Sequence, residues 1–161
     1  MGMARLALTK RNIRVYRVAF SDLAALTGVA VEISGAANKK ITIRHIQIAK
    51  PSAALEPLKI EKLSAASSGG TSSTPTKVPL ATRFSAAAAT VKLYTGAPTK
   101  GALIDQIQEI DIGTGEIVNE HFGGEDEGGR AVELEAAAES LVLVVATSVT
   151  LNGYIEWQEE P

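Results

Sequence analysis

Apolar residues recur at every second position in short segments of this chain, and turn-forming residues separate the segments. Val29, Val31 and Ile33 alternate in this way before the Ser34-Gly35 pair. Such alternation indicates a strand with one buried face, and many such strands between turns are typical of sandwiches and barrels. The pattern predicts an all-β fold: a single-domain β-sandwich or jelly roll of about eight or more short antiparallel strands.

Three segments depart from simple alternation. The run KITIRHIQIAK changes phase at its centre, which predicts a β-bulge near Arg44 and His45. The run GALIDQIQEIDI also fits helical spacing, but its β-branched isoleucines and the closing Gly113 favour a strand. The run EAAAES, from Glu135 to Ser140, fits a turn of helix and a loop equally well.

The composition is that of one compact domain with an aliphatic core. The chain has 161 residues, of which 45% are apolar and only 4% aromatic. A domain of this size buries about 68–70% of its unfolded surface. There is no cysteine, which excludes disulfides and thiolate chemistry. We expect residues 13–161 to form the β-sandwich domain and residues 1–12 to form a basic N-terminal arm.

The segment SAASSGGTSSTPTKVPLA, residues 64–81, is a long polar stretch within this pattern of strands. Segments beyond about 12–15 residues without structure of their own are usually binding loops, ordered extensions or linkers. The strands on either side are too few to form separate domains, and Pro75, Val78, Pro79 and Leu80 supply stiffness and apolar anchors. We expect an ordered excursion of one domain that contacts a sister subunit or another partner.

Charge is distributed unevenly along the chain. Through Lys62 there are 11 basic and 4 acidic residues, whereas 5 basic and 14 acidic residues follow, so that +7 and −9 give the net charge of −2. The two halves either interleave on one solvated surface or form opposite patches that steer copies together. An acidic chain without interleaved aromatic residues does not predict nucleic-acid binding.

No motif indicates catalysis or a cofactor. His45 and His121 are the two histidines, and we interpret both as structural residues. The chain has no nucleophile elbow, phosphate loop or zinc-protease helix. The acidic loop GGEDEGG lacks the ligand spacing of an EF-hand and fits a solvated loop tip. We expect no enzyme activity, no catalytic residue, no cofactor and no metal.

Nothing in the sequence predicts a membrane partner. The N-terminus lacks the apolar core of a signal peptide. The longest fully apolar run, from Leu141 to Ala146, is far shorter than the roughly 20 residues that cross a bilayer.

The run SSGGTSSTPTKVPLATRFSAAAATVKLYTGAPT, with ITIRHIQIAKPS before it and ESLVLVVATS and YIEWQEE after it, resembles a family of small virion proteins of tailed bacteriophages and prophages. The likeness covers roughly residues 40–157. It lies in a GGTS-x-x-P loop, an alanine-rich turn, a K-x-Y-T-x-x-P strand end and a terminal I-E-W strand. The segment 107–122 is more acidic than the family pattern.

The resemblance implies a non-enzymatic decoration or cement protein on the outer surface of a phage capsid, made in the bacterial host cytoplasm. Its implied partners are the major capsid protein and further copies of itself, as a dimer or trimer. Together with the basic arm and the long loop, it suggests an interface formed by Arg5, Lys10, Arg11, Arg14, Thr71, Pro75, Val78 and Pro79.

Two alternatives remain open. A tail or baseplate component could have the same fold. A carbohydrate- or receptor-binding module is the other alternative, since jelly rolls also serve as lectins. Sugar sites need exposed aromatic rings, and Trp157 lies in a regular strand where a core role is more common.

Overall fold

The structure, a computed structural model, describes residues 13–49, 51–81, 83–123 and 131–161. Twelve strands lie in these ranges and no helix does. They are β1 (Arg14–Ala25), β2 (Gly28–Ser34), β3 (Lys40–Ala49), β4 (Leu55–Leu63), β5 (Ser72–Ser73), β6 (Val78–Pro79), β7 (Thr90–Tyr94), β8 (Leu103–Ile112), β9 (Ile117–His121), β10 (Val132–Leu134), β11 (Ser140–Val145) and β12 (Val149–Glu160).

The strands form two antiparallel sheets in jelly-roll order. In the first sheet β1 lies beside β12, β12 beside β3, and β3 beside both β9 and β10, which pair with successive parts of one edge. The second sheet contains β2, β11, β4 and β8 in that order. Pairing the first strand with the last, and the second with the next to last, is the jelly-roll arrangement. The predicted fold class is confirmed.

Residues 64–102 are an insertion between β4 and β8, two strands that are neighbours in the second sheet. The insertion leaves β4, forms β5, β6 and β7 at the opposite edge, and returns to β8. Its outgoing limb, residues 64–71, and its returning limb, residues 95–102, lie side by side; Ser68 and Thr99 exchange backbone hydrogen bonds of 2.9 and 2.8 Å. We call residues 64–102 the insertion.

The main core lies between the sheets and is largely aliphatic, as the composition predicts. Trp157 is its largest side chain and is completely buried, with its ring stacked on Tyr16 at a centroid distance of 5.9 Å. A second small cluster occupies the outer face of the second sheet. Its members are Val29, Leu63, Tyr94 and Val142, with Val144 packed against them. The outgoing limb of the insertion lies over this face, where the Ser67 backbone N–H donates to Glu32, and β2 and β11 are largely buried on both faces.

The strand pairing shows which structure each of the three irregular segments adopts. Between β3 and β12, Glu156 lies opposite His45 and Trp157 opposite Ile43, which leaves Arg44 as the bulged residue. The GALIDQIQEIDI run is a strand, β8, and Glu135–Ser140 is a turn that leads into β11. The alternation pattern did not identify β9 or the two-residue strands β5 and β6.

Candidate functional site

The outgoing limb of the insertion is attached to the second sheet by a buried carboxylate. Glu32 of β2 is completely buried, and it accepts hydrogen bonds from the Ser67 backbone N–H at 2.8 Å and from the Tyr94 hydroxyl at 2.9 Å. Burial raises the pKa of Tyr94 far above its ordinary value, and the hydrogen bond to Glu32 raises it further. The phenol therefore remains a hydrogen-bond donor at any physiological pH.

The returning limb has its own attachment, an ion pair between Lys100 and the buried Glu61 of β4 at 2.6 Å. Gly70 joins the outgoing limb to β5 with a φ of 71°, and a side chain there would lie 2.6 Å from the Gly96 carbonyl oxygen. Glycine is required because that conformation and that spacing exclude a Cβ atom. The GGTS motif is therefore a turn that lets the two limbs pack together.

The middle of the insertion is attached to the first sheet by a third buried carboxylate. Glu159 of β12 accepts hydrogen bonds from the backbone N–H groups of Ala88 and Ala89, both at 2.9 Å, and from the Trp157 indole at 3.0 Å. Lys77 donates to the carbonyl oxygen of Ala89 at 2.7 Å. These bonds fix the alanine-rich run against the core, and they place β6 beside β1.

Five of the predicted interface residues are described by the structure, and all five lie along one lateral edge of the sandwich. Arg14 begins β1, Val78 and Pro79 form β6 beside it, and Thr71 and Pro75 flank β5. Val78 is 52% exposed. Arg5, Lys10 and Arg11, with the rest of the predicted arm, fall outside the described residues. The structure thus groups residues that are far apart in the first half of the sequence.

A row of polar and aromatic side chains crosses the outer face of the first sheet. The rings of His45 and His121 stack at 4.0 Å, and the Tyr154 hydroxyl lies 2.9 Å from His45 Nδ1. The Arg17 guanidinium lies 4.3 Å from the centre of the Tyr154 ring and pairs with Glu156. The stacked histidines make this surface sensitive to acid, because two adjacent imidazoles repel each other when both are protonated.

Burial lowers the pKa of His45 below its ordinary value of 6.5, and the adjacent His121 and Arg17 lower it further, against the opposing effects of Glu156 and Asn119. The unfolded chain therefore takes up a proton on this histidine before the folded chain does. Neutral His45 contributes to the free energy of unfolding. This contribution is complete above about pH 6.5 and is lost as the pH falls through the lower, folded-state pKa.

We therefore expect the His45→Gln variant to lose less free energy of unfolding than the wild type when the pH is lowered. Wild type and variant are compared by urea unfolding at neutral pH and at about pH 5, and the wild type loses more free energy between the two conditions. His121→Gln is the matched variant and acts in the same direction, because it removes the neighbouring positive charge. Equal losses in all three proteins would contradict this assignment.

Metal-ligating side chains are scattered among the described residues. No group of three or more His, Cys, Asp or Glu side chains among them is placed to hold a metal ion. A shallow pocket of about 240 Å³ lies beside the stacked histidines and is lined by Arg44, His45, His121, Phe122 and Glu156. In the same described ranges there is no helix long and apolar enough to span a membrane.

A scan of protein-family models, a search of curated proteins and a search of solved structures each find no match for this chain. The function is therefore inferred from the sequence and the fold of this chain.

Sequence reasoning missed the carboxylates that hold the insertion in place. Glu32 follows Val31 in an alternating strand, and an acid at such a position usually faces solvent. Glu159 lies in the polar run QEE and shows the same misleading pattern. The available signal was the length of the insertion itself, because a long ordered excursion needs buried polar groups to satisfy its backbone.

Proposed function

We propose that this chain is a viral structural protein, a decoration or cement protein that binds the outer surface of a tailed-phage capsid and stabilises the shell by bridging capsid subunits. The observation that carries the proposal is the insertion. The segment with the family likeness is bonded to both sheets through buried Glu32 and Glu159, and it presents Val78 and Leu80, each about half exposed, at a lateral edge. A flexible linker would need no such attachments.

The mechanism is physical rather than chemical. A protein that spans the junctions between major capsid subunits buries surface across them, and this burial opposes expansion under the pressure of packaged DNA. Many symmetry-related copies convert moderate affinities into avidity. The basic arm, with Arg5, Lys10 and Arg11, would extend the contact onto acidic capsid surface, where charge complementarity favours association.

Removing the protein from particles is expected to lower the temperature at which they release DNA. Phage particles are prepared from cells that carry the gene, either intact or disrupted, and DNA release is followed with a dye during heating. Purified full-length chain added to the deficient particles should restore the higher temperature. Chain lacking residues 1–12 should restore it less well, at equal concentration.

Unchanged DNA release after gene disruption, with the chain abundant in wild-type particles, would contradict a cementing role. Full restoration by the chain that lacks residues 1–12 would contradict only the role of the arm.

A further inference from the structure

Large exposed hydrophobic side chains are concentrated at two places in the described part of the chain. Seven such side chains are exposed there. Three of them, Ile13, Val78 and Leu80, form one group, and Leu103 and Ile104 lie together at the start of β8. Ile117 lies beyond the other end of β8, at the start of β9. The seventh, Leu26, lies in the β1–β2 turn. Clustered exposed apolar groups mark interaction sites more often than scattered ones do.

The two groups lie on opposite lateral edges of the sandwich. The first group lies along the start of β1 and β6: Ile13 precedes β1, Val78 is in β6 and Leu80 follows β6, which ends the first sheet. β1 also packs against β7, next to the β5 end of the second sheet. The second group begins β8, and the same edge continues into β9, which Gln108 of β8 joins by a hydrogen bond of 2.9 Å to Glu120. A surface on one edge cannot meet the other edge of the same molecule.

The first edge is basic. Arg14, Lys77 and Arg83 flank its apolar groups, and among the described residues none of the three forms an ion pair with an acidic side chain. Arg14 donates to Ser85, Lys77 to backbone carbonyl oxygens, and Arg83 stacks on Phe84. We call this surface the basic edge; it comprises Ile13, Arg14, Lys77, Val78, Leu80 and Arg83.

The second edge is acidic. Asp105, Glu109 and Asp111 are exposed on β8, and the strand carries no basic residue. Glu109 lies 3.6 Å from Lys59, whereas Asp105 and Asp111 form no ion pair within the described ranges. We call this surface the acidic edge; it comprises Leu103, Ile104, Asp105, Glu109 and Asp111 of β8.

We propose that the acidic edge of one copy of this chain binds the basic edge of a second copy, so that copies associate head to tail. The basic edge combines three exposed apolar side chains with three basic residues, and the acidic edge combines two exposed apolar side chains with three acidic residues. A two-fold contact of β8 with another β8 would bring acids together, which is unfavourable. Head-to-tail contacts close into rings when the rotation permits.

The inference goes beyond the proposed function, because it concerns copies of the chain in solution without a capsid. It also relates to the sequence, since the basic first half and the acidic second half do not mix completely on the folded surface. Basic and acidic side chains are concentrated at separate edges. Opposite charge then both attracts the copies and fixes their orientation.

The test measures the mass of the full-length chain by sedimentation at low salt, over a concentration series up to about 100 µM, which detects contacts of micromolar affinity. Wild type should associate, and salt at about 0.5 M should weaken the association because it screens exposed charges. The acid-edge variant carries Asp105→Lys and Asp111→Lys, and the basic-edge variant carries Arg14→Glu and Arg83→Glu. Each should raise the dissociation constant by roughly tenfold or more.

Mixing provides the decisive comparison. The acid-edge variant has two basic edges and the basic-edge variant has two acidic edges, so an equimolar mixture should associate again. A variant that had merely lost its fold could not be rescued in this way. The controls Lys39→Glu and Glu135→Lys reverse charges in turns away from the edges, and both should behave as wild type.

Three results would overturn the proposal. A wild-type chain that stays monomeric throughout the concentration series has no such contact. Disruption by only one of the two variants indicates a two-fold contact through a single edge. Association that neither variant changes does not involve these charges.

Discussion

Replacing Trp157 with alanine is expected to lower the free energy of unfolding by about 3–5 kcal/mol, the range for deletion of a large buried aromatic side chain. Trp157 is completely buried in the C-terminal half of β12, and its ring stacks on Tyr16. Alanine leaves a cavity that the two sheets cannot close without moving. It also removes the indole N–H that donates to Glu159.

Urea unfolding monitored by circular dichroism measures this loss, since the variant lacks the only tryptophan of the chain. Trp157→Phe is the matched control: it retains an aromatic ring against Tyr16 and loses the N–H donor, so its cost should be clearly smaller. An alanine variant as stable as wild type would show that Trp157 is not in the core. That outcome would also restore it as a candidate sugar platform.

Replacing Glu159 with alanine is expected to cost about 2–4 kcal/mol, because several buried donors lose their acceptor together. The N–H groups of Ala88 and Ala89 and the indole of Trp157 all donate to this carboxylate, which is 4% exposed. Glutamine in its place would direct an amide group at the same donors and should be only a partial substitute. Limited proteolysis should detect earlier cleavage within residues 80–89.

Glu135→Ala is the control for the carboxylate, since Glu135 is exposed and its side chain is not part of a buried network. Its unfolding and proteolysis should match wild type. If Glu159→Ala also matches wild type, the insertion is not held by this carboxylate. Because Trp157 and Glu159 share a hydrogen bond, their double alanine variant should cost less than the sum of the two single variants.

Local patterns in the sequence predict much of the fold. Alternation identifies β2, β3 and β7, a fully apolar run identifies β11, and the phase change in β3 identifies the bulge at Arg44. These features depend on neighbouring residues, because the side chains of a strand alternate between its two faces whatever the rest of the chain does. The core role of Trp157 follows in the same way.

The path of the insertion could not be predicted, because it depends on contacts between residues far apart in the chain. Ser67 meets Glu32, and Ala88 meets Glu159, across separations of 35 and 71 residues. Neither carboxylate has a local signature of burial. The strand β9 was not predicted for a related reason. It lies on a sheet edge, where its outer residues face solvent, and the alternation of apolar and polar residues in its sequence is weak.

The two charged edges were also beyond local reasoning. The sequence has a basic first half and an acidic second half, and either mixing or segregation is compatible with that division. The outcome depends on topology: the insertion carries β6 to the edge beside β1, while β8 and β9 form the opposite edge. Chain connectivity therefore turns a difference along the sequence into a difference across the molecule.

The location of the chain in a virus particle tests the central proposal most directly. Phage particles from cells that carry the gene are imaged by electron cryomicroscopy, and the map is compared with that of particles from cells in which the gene is disrupted. The account predicts that the difference density is a β-sandwich on the outer surface of the head, seated over junctions between major capsid subunits. Difference density confined to the tail or baseplate, or no difference at all, would contradict it.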